Sequence, residues 1–192
     1  MILKAKAERQ SLESPGFMLN NIKIIIRKAK KGDGKGIIDC FNQGFKKGFN
    51  NYTGRNQPDG PKQIREMNKL LLSKKKNDFS FVAVDEMNNK IIGSSMFWAR
   101  EKGRFRHRGN SFWAVHPDYA RKGIATKLVK KLIDEARKRK YKKIQAEVAV
   151  ENVGSVKLAK KLGFKIEGRI KHGILLDDNR HVDVYIFGKT LK

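Results

Sequence analysis

A single cysteine, Cys40, stands in this chain of 192 residues. It leaves no partner for an intramolecular disulfide and no basis for a cysteine-ligated metal cluster. The four histidines fall at no metal-ligand spacing, so no metal is expected. No apolar run approaches the roughly 18 residues that a membrane span requires. The opening segment, Met1 to Arg9, lacks the apolar core of a secretory signal. A cytoplasmic protein without membrane association is therefore expected. Acidic residues are the other shortage: 19 Asp and Glu stand against 44 Lys and Arg, which gives a net charge of +25 and a pI near 10.3. Such a surface attracts polyanions and admits association with RNA or a ribosome. The lysines are spread along the whole chain, as in a lysine-rich proteome, and no basic block is interleaved with aromatics. Dedicated nucleic-acid binding is not favoured on that pattern.

At 39% hydrophobic residues, the chain can bury the core of one compact domain. Residues 1–21, which include Ser14-Pro15-Gly16, show no clear period and read as a flexible extension to a domain over 22–192. Ile22, Ile24 and Ile26 alternate as a first strand. Asp33 is placed to cap a helix with Ile37, Ile38, Phe41 and Phe45 on its apolar face. A loop by composition follows, Asn50 to Gly60, then a helix with Ile64, Met67, Leu70 and Leu71 at helical spacing. Strands are expected over 79–85, 91–100, 111–115 and 144–150, with the first two joined by a turn at 86–89. Helices are expected over 126–140 and 155–162, the second ended by Gly163. A long hairpin, 164–176 and 180–187, closes the chain. The order β-α-α-β-β-β-α-β-α-β-β describes an α/β domain with one mixed, mostly antiparallel central sheet and flanking helices.

One stretch carries chemistry. The strand-like Asn110 to Val115 runs into a turn at His116-Pro117-Asp118, then into a basic, small-residue loop and an amphipathic helix. Backbone N–H groups of such a loop, at the positive end of a helix, suit a phosphate. Gly123 lets the backbone approach closely. The run is neither a Walker A loop nor a GxGxxG dinucleotide fingerprint.

Ala120-Arg121-Lys122-Gly123-Ile124-Ala125 resembles the pyrophosphate-binding loop of the GNAT acyltransferase superfamily, with the pattern Arg/Gln-x-x-Gly-x-Gly/Ala. Ala120 departs from the pattern, and Arg121 and Lys122 follow it directly. A second segment is similar to the family's other block: the strand from Glu147, then Asn152-x-x-Ser155, a short helix and Leu162-Gly163-Phe164. The pattern is nearest to the branch of ribosomal-protein and small-molecule N-acetyltransferases. The likeness runs from about Ile22 to the C-terminus.

The resemblance implies an acetyl-CoA-dependent N-acetyltransferase working by direct transfer to a primary amine of a small molecule, a protein N-terminus or a lysine. It implies that Trp113, Ala114 and Val115 present backbone groups to the pantetheine arm. Arg121, Lys122, Gly123, Ile124, Ala125 and Thr126 would hold the pyrophosphate, and Asn152 would touch the arm. Where many members carry a Tyr acid for the leaving thiolate, this chain has Ala159, so Ser155 or water takes that place. Glu147 is the candidate base; His116, in a turn, reads as a surface residue. The terminal hairpin, with His172, His181, Asp183 and Tyr185, would border the acceptor together with loop 46–60. Asp183 and Tyr185 are the residues expected to touch the amine, and Glu147, Glu151 and Asp183 to give it an acidic lining. The alternative from another class is a catalytically reduced CoA-binding or RNA- or ribosome-associated module. Transfer of a longer acyl group and a homodimer both remain compatible with the sequence.

Overall fold

Two central segments, Phe79–Asp85 and Lys90–Ala99, are buried on both faces along almost their whole length, Ser94 and Ser95 included. A strand of that kind needs cover above and below, and the helices supply it. The computed structural model describes residues 16–19, 22–46, 61–71, 77–100, 103–176 and 178–192. In chain order these form β1 (Phe17–Leu19), β2 (Ile22–Lys28), α1 (Gly34–Lys46), α2 (Pro61–Leu71), β3 (Phe79–Asp85) and β4 (Lys90–Ala99). Then come β5 (Arg108–Val115), α3 (Ile124–Lys138), β6 (Lys143–Ala149), α4 (Val153–Lys161), β7 (Lys165–Leu175) and β8 (His181–Thr190). None of the described helices is long and apolar enough to cross a membrane.

The strands make one eight-stranded sheet in the order β1-β2-β3-β4-β5-β6-β8-β7. Every neighbouring pair is antiparallel except β5 and β6, which run parallel. On one face α3 and α4 bury Leu128, Leu132, Ala136 and Ala159 against Ile24, Phe97, Ile144 and Phe187. On the other, α1 and α2 bring Ile37, Phe41 and Met67 onto Val82, Val84 and Met96. Cys40 is buried on α1, and burial pushes its thiol up to about 12.

Four expectations change in detail. Three residues of the stretch read as an extension form β1, with Phe17 opposite Ile24 and its ring under the Lys127 ammonium at 4.3 Å. Asp33 precedes α1 without capping it through its side chain. Its carboxylate instead takes both Arg27 Nη1 and Nη2, at 2.7 and 2.8 Å, and the Lys30 N–H. The helix expected over 155–162 begins at Val153, with Asn152 as its cap: Asn152 Oδ1 accepts from the Ser155 N–H at 3.1 Å. His116 is not a surface residue but is 2% exposed. Residues 47–60, the larger part of the expected acceptor loop, and the side chains of Phe45 and Leu70 lie outside the described residues.

The feature that positions the site is how little β5 and β6 touch. They pair only at Arg108–Lys143, Gly109–Ile144 and Asn110–Gln145, and then diverge. Gly109 stands where the Phe97 ring and the Trp98 carbonyl cross the strand so closely that any Cβ would collide with them. Just beyond, the Ser111 hydroxyl donates to the Gln145 carbonyl at 3.0 Å, satisfying an acceptor where the ladder gives out.

Candidate functional site

Where β5 and β6 part, a cleft of about 440 Å³ opens through the sheet, walled by Trp98, Asn110, Phe112 and Trp113 on one side. Glu147, Val148, Ala149, Asn152 and Ser155 wall the other, and Gly173, Ile174 and Val184 close it from the terminal hairpin. Strand pleating sorts these side chains by face. Trp113, Ala146 and Val148 belong to the face covered by α3 and α4. Trp98 and Phe112 belong to the α1 and α2 face, and the strand register puts Asn110, Glu147, Ala149 and Val184 there with them. The cleft therefore has two mouths of different chemistry.

The first mouth lies toward α3. Between β5 and α3 the chain makes a single 3-10 turn, Pro117–Tyr119, with His116 as its cap: His116 Nδ1 accepts from the Asp118 N–H at 3.3 Å. The other ring nitrogen lies 3.1 Å from Lys90 Nζ. Tyr119 is tied down as well, its hydroxyl donating to Asp85 at 2.8 Å, and the Lys122 ammonium sits over its ring. Past this anchored turn the backbone goes left-handed at Arg121 (φ +60) and again at Gly123 (φ +79). Gly123 is the α3 N-cap with no side-chain cap, and a Cβ added there would meet nothing within 4 Å. Bare N–H groups of the first helical turn, an open approach and two cations are the groups an anion would need. Of the six loop residues anticipated, Arg121, Lys122, Gly123, Ala125 and Thr126 lie at this surface. Ile124 is 1% exposed and contributes backbone only.

Trp113, Ala114 and Val115 lie on the diverging half of β5, beyond its pairing with β6. Their outer backbone groups are thus available to the cleft. The Trp113 indole packs on Phe164 at 6.1 Å, which is a core contact. Asn152 and Ser155 line the cleft from the start of α4. Ala159, about one turn beyond Ser155, has no exposed surface and sits in the core.

At the other mouth stands Glu147, exposed and in no ion pair with another described residue. The remaining acidic candidates are held by cations. Asp183 accepts from the His172 N–H at 2.8 Å and from Arg169 Nε at 2.7 Å, with Lys171 Nζ at 3.3 Å. The His172 amide above all, with Arg169 and Lys171, holds its carboxyl down at about 2. Arg180 Nη1 grips both oxygens of Glu151 at 2.7 and 2.8 Å. Asp183 and Tyr185 are not among the cleft-lining residues; Tyr185 packs edge-on against Phe187. His172 and His181 face each other at 5.1 Å across the hairpin, also outside the lining. His116 is spent on its turn.

The model of the Acetyltransferase (GNAT) family matches residues 45–164, more than half of the chain. The chain belongs to that family. An L-amino acid N-acyltransferase, MnaT, of Escherichia coli is 35% identical over 91 residues, 46% of this chain and 52% of that protein. The chain thus spans about half the length of this curated relative. The acetyltransferase of the GNAT family from Streptococcus pneumoniae superposes with a TM-score of 0.76 at 26% identity, covering 88% of this chain and 99% of that one. The fold is also that of yncA from Salmonella typhimurium, solved with its cofactor acetyl-CoA (TM-score 0.71, 23% identity, 88% and 94% covered).

For this GNAT chain the sequence offered the loop and the α4 entry as candidates but not the opposite wall of the cleft. Trp98, Asn110 and Phe112 were legible only as strand residues. Their signal was alternation: residues of one parity on β4 and β5 share a face, yet nothing in one dimension says that this face borders a gap. The buried anchor formed by Asp85 and Tyr119 was likewise unread, because 34 residues separate its partners.

Proposed function

We propose that this chain is an acetyl-CoA-dependent N-acetyltransferase that moves the acetyl group directly to a primary amine of a small molecule, a protein N-terminus or a lysine. One observation carries the reading. The cleft lies between Glu147, an exposed carboxylate in no ion pair with another described residue, and the diverging half of β5, whose chain runs on through the turn at Pro117–Tyr119 to the open α3 N-terminus. The solved structure of yncA with acetyl-CoA supports the choice of donor.

The residues present fit such a donor. Gly123 has the space for phosphate oxygens, and Arg121 and Lys122 supply the counter-charge. The donor, when bound, supplies an activated thioester carbonyl. Backbone groups of Trp113 to Val115 hold its arm in the widening gap, and an N–H near Val115 polarises the carbonyl. Glu147 takes the proton that the amine must lose to attack, directly or through water. As the new C–N bond forms and the C–S bond breaks, the sulfur leaves with the electron pair. An ordinary thiol has a pKa around 8.5, so a proton from water or from the Ser155 hydroxyl suffices, and the buried Ala159 is no obstacle. Holding amine and thioester together supplies much of the rate.

The test is amine-dependent thiol release from acetyl-CoA across peptide N-termini, L-amino acids, polyamines and aminoglycosides, with the acetylated product weighed by mass spectrometry. Release of one thiol per amide formed, with at least one class, is expected. Tight CoA binding with no release from any class between pH 6 and 10 would leave a CoA-binding module and overturn the reading.

A further inference from the structure

All the exposed residues of α3 are charged, and all but one are cations: Lys127, Lys130, Arg137 and Lys138. The exception, Asp134, is bridged to Arg137 at 3.3 Å. Helix α4 exposes Lys157, Lys160 and Lys161 and no carboxylate. Both helices pack on the same face of the sheet, so these outward stripes belong to one surface. Their C-terminal ends converge at Lys189. Its ammonium lies so near Gly163 that a Cβ there would come within 2.8 Å. Burial first, and then repulsion from Arg137, lower the Lys189 pKa. Arg137, Lys138, Lys160 and Lys161 complement the C-terminal ends of their helix dipoles, and Lys127 lies over the Phe17 ring, but a surface this rich in one sign still repels itself and opposes folding.

We propose that the outer face of α3 and α4 is a docking surface for the phosphate backbone of double-helical RNA. Four features select that partner. Cations one helical turn apart are spaced about 5.4 Å along the axis, on the scale of successive phosphates. No aromatic side chain is exposed on either helix, and single strands are held by stacking on such side chains. The large apolar anchors that hold an interfacial helix in a membrane are missing too, since Val153 is the only exposed apolar side chain on the two helices. Both helices lie flat against the sheet, so neither projects to enter the major groove of DNA. A flat basic face suits the shallow minor groove and flanking phosphates of an A-form duplex.

The experiment measures fluorescence anisotropy of a labelled 20-base-pair RNA duplex with the full chain, between 50 and 300 mM salt. Binding with a log–log salt slope steeper than about −4 is expected, several phosphates being neutralised. The triple variant Lys130→Glu, Lys157→Glu, Lys160→Glu should bind at least 30-fold more weakly. The matched variant Lys62→Glu, Arg65→Glu, Lys69→Glu, on α2 across the sheet, should stay within 3-fold of wild type. Circular dichroism and thiol-release rates should be unchanged in both. Equal loss in the two variants would mean diffuse net charge and overturn the proposal. So would equal affinity for a DNA duplex, or tighter binding to anionic vesicles or polyglutamate than to RNA.

Discussion

The hydroxyl of Tyr119 donates a 2.8 Å hydrogen bond to Asp85, a carboxylate with no exposed surface. Burial, and then this bond, raise the Tyr119 pKa to about 12. For Asp85, burial pulls its pKa upward, but donors from Tyr119, Asn88 and the Met87 N–H prevail and the net shift is downward. Through this contact the β3–β4 turn fixes the residue two places before Arg121, where the proposed anion seat begins.

Tyr119→Phe should therefore loosen that seat. Losing a donor to a buried carboxylate costs about 2 kcal/mol, a drop in Tm of roughly 4–8 °C for a chain of this size. KM for acetyl-CoA should rise several-fold while kcat changes little. A depressed carboxylate stabilises above its ordinary pKa and loses that contribution as pH falls through the folded value. In the variant Asp85 is less depressed, so acid unfolding should begin at a higher pH. Unchanged Tm and unchanged KM together would show that the bond does not position the loop.

Gly123→Glu should abolish CoA binding by calorimetry while the fold survives, because the Cβ position is open and the carboxylate would occupy the phosphate space. Gly123→Ala should cost only about 1 kcal/mol, for holding a side chain at φ +79. Normal CoA affinity in the Glu variant would reassign the loop.

Glu147→Gln should lower kcat by roughly 100-fold or more with little effect on acetyl-CoA affinity. Thermal stability should hold, since Glu147 is exposed and pairs with no described cation. Activity within a factor of two of wild type across pH would move the proton to water.

Asp183 should hold the hairpin rather than the amine. With its carboxyl near 2, its bonds persist above the usual 3.8 and are lost as pH falls through about 2. The His172 amide resonance should shift with a midpoint near that pH. Asp183→Asn should remove the titration and alter KM for the amine by less than Glu147→Gln alters kcat. A midpoint near 3.8 would contradict the clamp.

Periodicity and turn residues were enough to read β2 to β8 and four helices from the chain alone. Alternation and 3.6-residue spacing are local properties of the backbone and of which face is wetted. The loop proposed for phosphate could be picked out for the same reason: Gly123 and the helix after it are one contiguous piece, and the proposed contacts are made by main-chain groups. Asn152 and Ser155 stand together in one motif, but that Asn152 caps α4 by accepting from the Ser155 N–H was decided by geometry. What sequence could not decide depended on strands far apart in the chain. The gap between β5 and β6 exists because a parallel pair is made over three residues and then abandoned. That divergence set Glu147 free at a cleft while Arg169 and Arg180, brought round by the hairpin, took Asp183 and Glu151. Those three carboxylates look alike as letters. Their different surroundings follow from which donors, backbone amide or cation, the tertiary fold brings within about 3 Å.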